Sequence, residues 1–61
     1  MKKLLTVPDV QRLLNCSRSM VYRLLEDHSI DGLLLRGSRR ITTESIEAYV
    51  EAEIIRFKQQ A

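Results

Sequence analysis

The side chains best suited to chemistry fall in two short clusters: Ser17, Arg18, Ser19, Tyr22 and Arg23 in one, Arg36, Ser38, Arg39 and Arg40 in the other. An arginine presents a planar fork of donors that fits a phosphate or a guanine edge with two parallel hydrogen bonds, and serine and tyrosine hydroxyls add single donors. Both clusters are therefore suited to holding an anion rather than to moving a proton or breaking a bond. The remaining reactive residue types are poorly arranged for catalysis. Asp27-His28-Ser29 has the residue types of a catalytic triad, but side chains on adjacent positions do not converge on one point. His28 is placed instead to meet the carbonyl end of a helix. Cys16 is the single cysteine; with no base or second thiol beside it, it is expected to pack inward as a small hydrophobe. Glu44, Glu47, Glu51 and Glu53 read as a solvated helix face. With no Cys/His cluster, and 61 residues in which to enclose a pocket, the expectation is a protein with no enzyme activity, no metal and no cofactor.

A single module spanning residues 1–61 is expected to carry both clusters, since a chain this short buries only about 60% of its unfolded surface and has no room for a second core. Its 44% hydrophobic and 30% charged residues are the balance of a soluble globular domain. One cysteine excludes an internal disulfide, which points to a reducing cytoplasm. The start Met1-Lys2-Lys3-Leu4-Leu5 imitates a secretion signal, but its apolar run stops at Thr6 and Pro8, short of the ~7 residues such a signal needs. No membrane association is expected. The net charge is only +2, yet residues 1–40 hold eight basic and four acidic groups, whereas residues 41–61 hold two basic and four acidic. This asymmetry places the footprint of a polyanion on the N-terminal two-thirds, with Arg12, Lys2 and Lys3 either reaching phosphates or simply solvated.

Local signals then place the elements. Thr6 followed by Asp9 is a capping-box-like start with Asp in place of Glu, Pro8 falls in a first helical turn, and Leu5 and Val10 have staple spacing. Val7, Val10, Leu13 and Leu14 make the apolar face of a short helix that stops at Asn15, a residue tolerant of the left-handed conformation. Ser17 caps a second helix running to about Asp27, so the two helices cross steeply. On the second, Met20, Val21, Leu24, Leu25 and His28 fall on one arc, and Arg18, Ser19, Tyr22, Arg23 and Glu26 on the opposite one. Leu33 to Arg36 and Arg39 to Thr42 flank Gly37-Ser38 as a hairpin. Thr42 or Thr43 caps a last helix with Glu44 in its first turn, Arg56 and Lys58 in its last, and a stripe of Ile46, Tyr49, Val50, Ile54 and Phe57. Ile55 lies off that stripe, and Leu34 is expected on the outer face of the hairpin.

Helix, abrupt turn, polar-faced helix and basic hairpin is the order of a winged helix-turn-helix. The run from Leu5 to Leu25, with Leu5-Thr6, Leu13-Leu14, Ser17 and Val21-Tyr22-Arg23-Leu24, resembles small excisionase-type and MerR-like DNA-binding domains, whose members read roughly L-T-x-x-E-x-A-x-L-L-G-V-S-x-x-T-V-Y-R-L. Arg36-Gly37-Ser38-Arg39-Arg40-Ile41 is similar to the family wing G-G-R-x-R-I, and Ile46-Glu47-Ala48-Tyr49-Val50 to L-E-A-Y-L. Asn15 and Cys16 replace the family's Gly and Val in the turn. Arg39 stands where members often carry Trp, and Leu34 where they often carry Arg. The resemblance implies an α+β, mainly α, winged helix-turn-helix of two short helices, a hairpin wing and a longer C-terminal helix. It puts Arg18, Ser19, Tyr22 and Arg23 on the recognition helix, and Arg36, Ser38, Arg39 and Arg40 on the wing.

Physical fit agrees with that assignment. An α-helix enters the major groove and reads base edges from its N-terminal turns, while a narrow arginine hairpin suits a minor groove or its phosphates. Ser17, Ser19 and the helix start suit a phosphate. Double-stranded DNA is the expected partner. By resemblance, the expected function is a stand-alone excisionase-type factor that binds tandem sites, bends DNA and promotes excision by a tyrosine or serine integrase, in the cytoplasm on the nucleoid. The absence of a long dimerisation helix before Ala61 favours this over the alternative, a small MerR-like transcriptional repressor. A protein-interaction module for an acidic partner is a third reading. Leu34 and Ile55, apolar residues without an obvious place in the core, are the expected surface for head-to-tail self-association on tandem sites.

Overall fold

A computed structural model describes residues 3–60. The start at Met1 and Lys2, including Lys2 as a phosphate contact, lies outside the described residues, as does Ala61. The elements follow as β1 (Leu4–Leu5), α1 (Val7–Leu14), α2 (Arg18–Glu26), β2 (Gly32–Leu35), β3 (Ser38–Thr42) and α3 (Thr43–Gln60). The strands form one antiparallel sheet in the order β1-β3-β2.

Caps made within three residues of one another set both short helices. Thr6 Oγ1 accepts from the Asp9 N–H at 3.2 Å and Asp9 Oδ2 accepts from the Thr6 N–H at 3.0 Å, which closes the capping box. These bonds, that from the Thr6 backbone foremost, hold the Asp9 carboxyl below its ordinary pKa. At the other end Asn15 turns left-handed at φ 51°, and the Cys16 N–H reaches back to the Gln11 carbonyl at 3.1 Å. Ser17 Oγ then accepts from the Met20 N–H at 3.2 Å and starts α2. Only Asn15, Cys16 and Ser17 separate the two helices.

The end of α2 is a Schellman motif. His28 takes φ 63°, its N–H donates to the Leu25 carbonyl at 3.3 Å, and the Ser29 N–H donates to the Leu24 carbonyl at 2.9 Å. His28 thus meets the carbonyl end of the helix through its backbone, while its side chain is exposed rather than on a buried arc. Asp27 and Ser29 satisfy each other through the Ser29 N–H and hydroxyl. Met20, expected on the inner face, is also exposed.

The hairpin turns one residue earlier than the flanking pattern suggests. Leu35 pairs with Ser38, so Arg36 and Gly37 are the turn residues, and Ser38 belongs to β3. Both have positive φ, 53° and 79°, as a two-residue turn matched to the strand twist requires. The unexpected strand is β1, whose Leu4 and Leu5 pair with Thr42 and Ile41. Of the two possible caps for α3, Thr42 accepts from the Ser45 N–H, and Thr43 instead donates its hydroxyl to the Lys3 carbonyl.

Leu5, Val7, Val10, Val21, Leu24, Ile30, Ile41 and Ile46 form the core, with Leu14, Cys16, Tyr22, Leu25 and Tyr49 packed half-buried against it. Cys16 does pack inward. Leu13 does not, being 62% exposed. The stripe on α3 is only partly used: Ile46 is buried, while Val50, Ile54 and Phe57 are exposed. Eighteen residues make a helix about 27 Å long at 1.5 Å per residue, more than the small body can cover. No helix among the described residues is long and apolar enough to cross a membrane.

Candidate nucleic-acid interface

The buried residues of α2, Val21 and Leu24, orient everything else on it. At about 100° per residue, Ser19 points directly away from the core with Arg23 beside it on one outward row, and Arg18 and Tyr22 lie on the neighbouring row. The outer row is exposed; Tyr22 on the other row is half-buried. Ser17 is committed as the cap of α2, so what it offers an anion is the exposed helix start it organises.

Across the chain, β3 brings the wing against that second row. The Arg39 guanidinium carbon lies 5.2 Å from the Tyr22 ring centroid, and that of Arg18 lies 5.5 Å from the same centroid. Arg18 Nη2 also donates to Tyr22 Oη at 3.1 Å. Arg40 is half-buried and donates from Nη1 to the Arg39 carbonyl at 3.1 Å. Arg36, Ser38 and Arg39 are exposed. The recognition helix and the wing are therefore joined through one aromatic ring. The spacing of residues in the chain carries no sign of this contact, since Tyr22 and Arg39 belong to different elements.

Leu34 pairs directly with Arg39, so it lies on the hairpin face that also carries Ile41 and Arg39, not on the outer face. It remains 68% exposed because the core ends at the Gly32–Ile41 pair and the wing projects past it. With Arg18, Tyr22 and Arg39, it lines a cleft that also reaches Thr6, Val7 and Pro8 at the start of α1. The part played by α1 in this cleft was not evident from the sequence. Ile55 is half-exposed on α3. Arg12 is ion-paired with Asp9 at 2.6 Å. No group of His, Cys, Asp or Glu among the described residues could hold a metal ion.

Arg36 shows a conflict between turn geometry and charge. A two-residue hairpin turn with positive φ at both positions favours Asn before Gly, whereas a left-handed arginine carries a steric cost. We therefore expect Arg36→Asn to raise stability by up to about 1 kcal/mol while weakening DNA binding. A thermal melt and a DNA titration of the same variant check the two opposite signs; a loss in both would show that Arg36 also supports the turn.

Two helices joined by a three-residue link, an outward polar row on the second and an arginine hairpin beside it define a winged helix-turn-helix, a DNA-binding class. The helix-turn-helix domain family matches residues 4–54. The chain is also 31% identical over 52 residues to a protein named Excisionase from Streptomyces ambofaciens, covering 85% of this chain and 84% of that one. It belongs to this family of small, excisionase-type helix-turn-helix DNA-binding proteins. No solved structure matches it significantly.

Proposed function

We propose that this protein is a sequence-specific double-stranded DNA-binding factor of the excisionase type, which promotes integrase-mediated excision in the cytoplasm. The observation that carries the reading is the outward row of Ser19 and Arg23 on α2, set beside a wing bearing Arg36, Arg39 and Arg40. In this arrangement α2 enters the major groove and Arg23 reads a base edge, while the wing follows the neighbouring minor groove and its phosphates. Seating both at once favours a bent duplex, because bending brings more backbone to the protein. Copies on tandem sites meet head to tail through Ile55, Leu34 being turned into the cleft beside Arg39 instead, and a weak contact suffices there because neighbours on one duplex are at high effective concentration.

Footprinting on DNA spanning an integration junction, with an excision assay containing the matching integrase, tests the proposal. Repeated protected sites beside the junction, cooperative filling of a two-site duplex and stimulated excision are expected. A single protected site over a promoter, with no effect on excision, would overturn it in favour of a repressor.

Arg23→Ala separates base reading from backbone binding. We expect it to weaken the specific site by ~1–3 kcal/mol while binding to random duplex stays nearly unchanged. Equal weakening on both duplexes would give Arg23 a phosphate role.

A further inference from the structure

Tyr22 has a place in the interface different from that of a base-reading residue. It is half-buried against the core and holds a guanidinium from each of two elements, with Arg18 also bonded to its hydroxyl. Both guanidinium carbons lie within 5.5 Å of one ring centroid, and both arginines line the same cleft, where one anion can meet the two charges. Neither has an acidic partner among the described residues, unlike Arg12, which pairs with Asp9, and Arg56, which pairs with Glu53. Glu26 flanks the far side of Tyr22 together with Arg39 but makes no ion pair with it. The negative face of the ring offsets part of the repulsion between the two cations, and an anion between them removes the rest. The cleft that Arg18, Tyr22 and Arg39 line measures about 360 Å³ and opens to solvent between α1, α2 and the wing.

We infer that Arg18 and Arg39, held on the Tyr22 ring, form a single site for one backbone phosphodiester of the bound duplex, with Tyr22 as its positioning residue. This rests on the DNA-binding reading above and deepens it. Arg18 and Arg39 then fix where the duplex crosses the junction of helix and wing, leaving base reading to the Ser19–Arg23 row.

Salt dependence of duplex binding tests the inference, because each neutralised phosphate contributes about 0.9 to the slope of log K against log salt. With Arg18→Ala or Arg39→Ala alone, the remaining guanidinium still neutralises the phosphate, so the slope stays nearly unchanged. The double variant lowers it by about 0.9. On duplexes carrying one neutral methylphosphonate linkage, scanned along both strands, a single position should make the unmodified protein and the double variant equal in slope. Tyr22→Phe keeps the ring and should bind nearly as well as the parent, whereas Tyr22→Leu should weaken binding to specific and random duplex alike. Circular dichroism establishes that each variant is folded, and the arginine pair decides the matter if Tyr22→Leu is not. Slope changes that appear in both single variants and add in the double would mean two separate phosphates and overturn the shared site. Failure of the unmodified protein to bind any duplex would instead overturn the functional reading on which the site rests.

Discussion

Truncation of Ile41 to alanine is expected to leave the domain largely unfolded near physiological temperature. Ile41 is fully buried in the central strand, pairing with Leu5 of β1 on one side and Gly32 of β2 on the other. Removing its side chain costs the transfer energy of the lost methyl groups and leaves a cavity, together about 2–5 kcal/mol. At 0.05–0.15 kcal/mol per residue the whole domain has only roughly 3–9 kcal/mol to lose. The sheet cannot close over the gap easily, because the strand that carries Ile41 is paired along both edges, with β1 on one side and β2 on the other. A thermal melt followed by far-UV circular dichroism should show the midpoint falling by tens of degrees, since in so small a domain each kcal/mol shifts it by about 4–8 °C. Ser19→Ala, on the outer row of α2, serves as the folded control. A fall of only a few degrees for Ile41→Ala would mean that β1 and β2 repack around the smaller residue.

The parts of this fold that were legible in the sequence are those made by residues close together in the chain. Thr6 with Asp9, Asn15, and Ser17 with Met20 act across at most a few residues, so their types announce the helix ends directly. The hairpin was legible as an element but not to the residue: one glycine with polar neighbours fits a turn at Gly37-Ser38 as well as one at Arg36-Gly37, and only the register of β2 on β3 decides between them. The strand β1 left no periodic signal, because it is two residues long and its partners lie in β3, far along the chain. The stripe on α3 is real, but how much of it is buried depends on the breadth of the body beneath it, a property of the whole molecule. The same limit applies at the interface. The two arginine clusters stand out by composition, whereas their union through Tyr22 is a tertiary contact between elements far apart in the chain.

That union sets the size of the second large effect, expected when Arg36, Arg39 and Arg40 are all replaced by alanine. None of the three is fully buried, so the variant should fold like the parent. Three independent phosphate contacts would lower the salt slope by about 2.7, at about 0.9 each. Arg18 still neutralises the phosphate it shares with Arg39, however, so the fall should be nearer 1.8. Measured against 1 M salt, where the counterion contribution vanishes, a change of about 1.8 corresponds to roughly 200-fold weaker binding at 50 mM salt and roughly 30-fold at 150 mM. The loss should be nearly the same on specific and random duplexes, the opposite of Arg23→Ala, because the wing's charges act on a backbone common to every sequence. Titrations of both duplexes across that salt range measure slope and selectivity together. An unchanged slope would remove the wing from the interface. A fall of about 2.7 would separate Arg39 from Arg18, and a loss confined to the specific duplex would mean that the wing reads the minor groove rather than only following its phosphates.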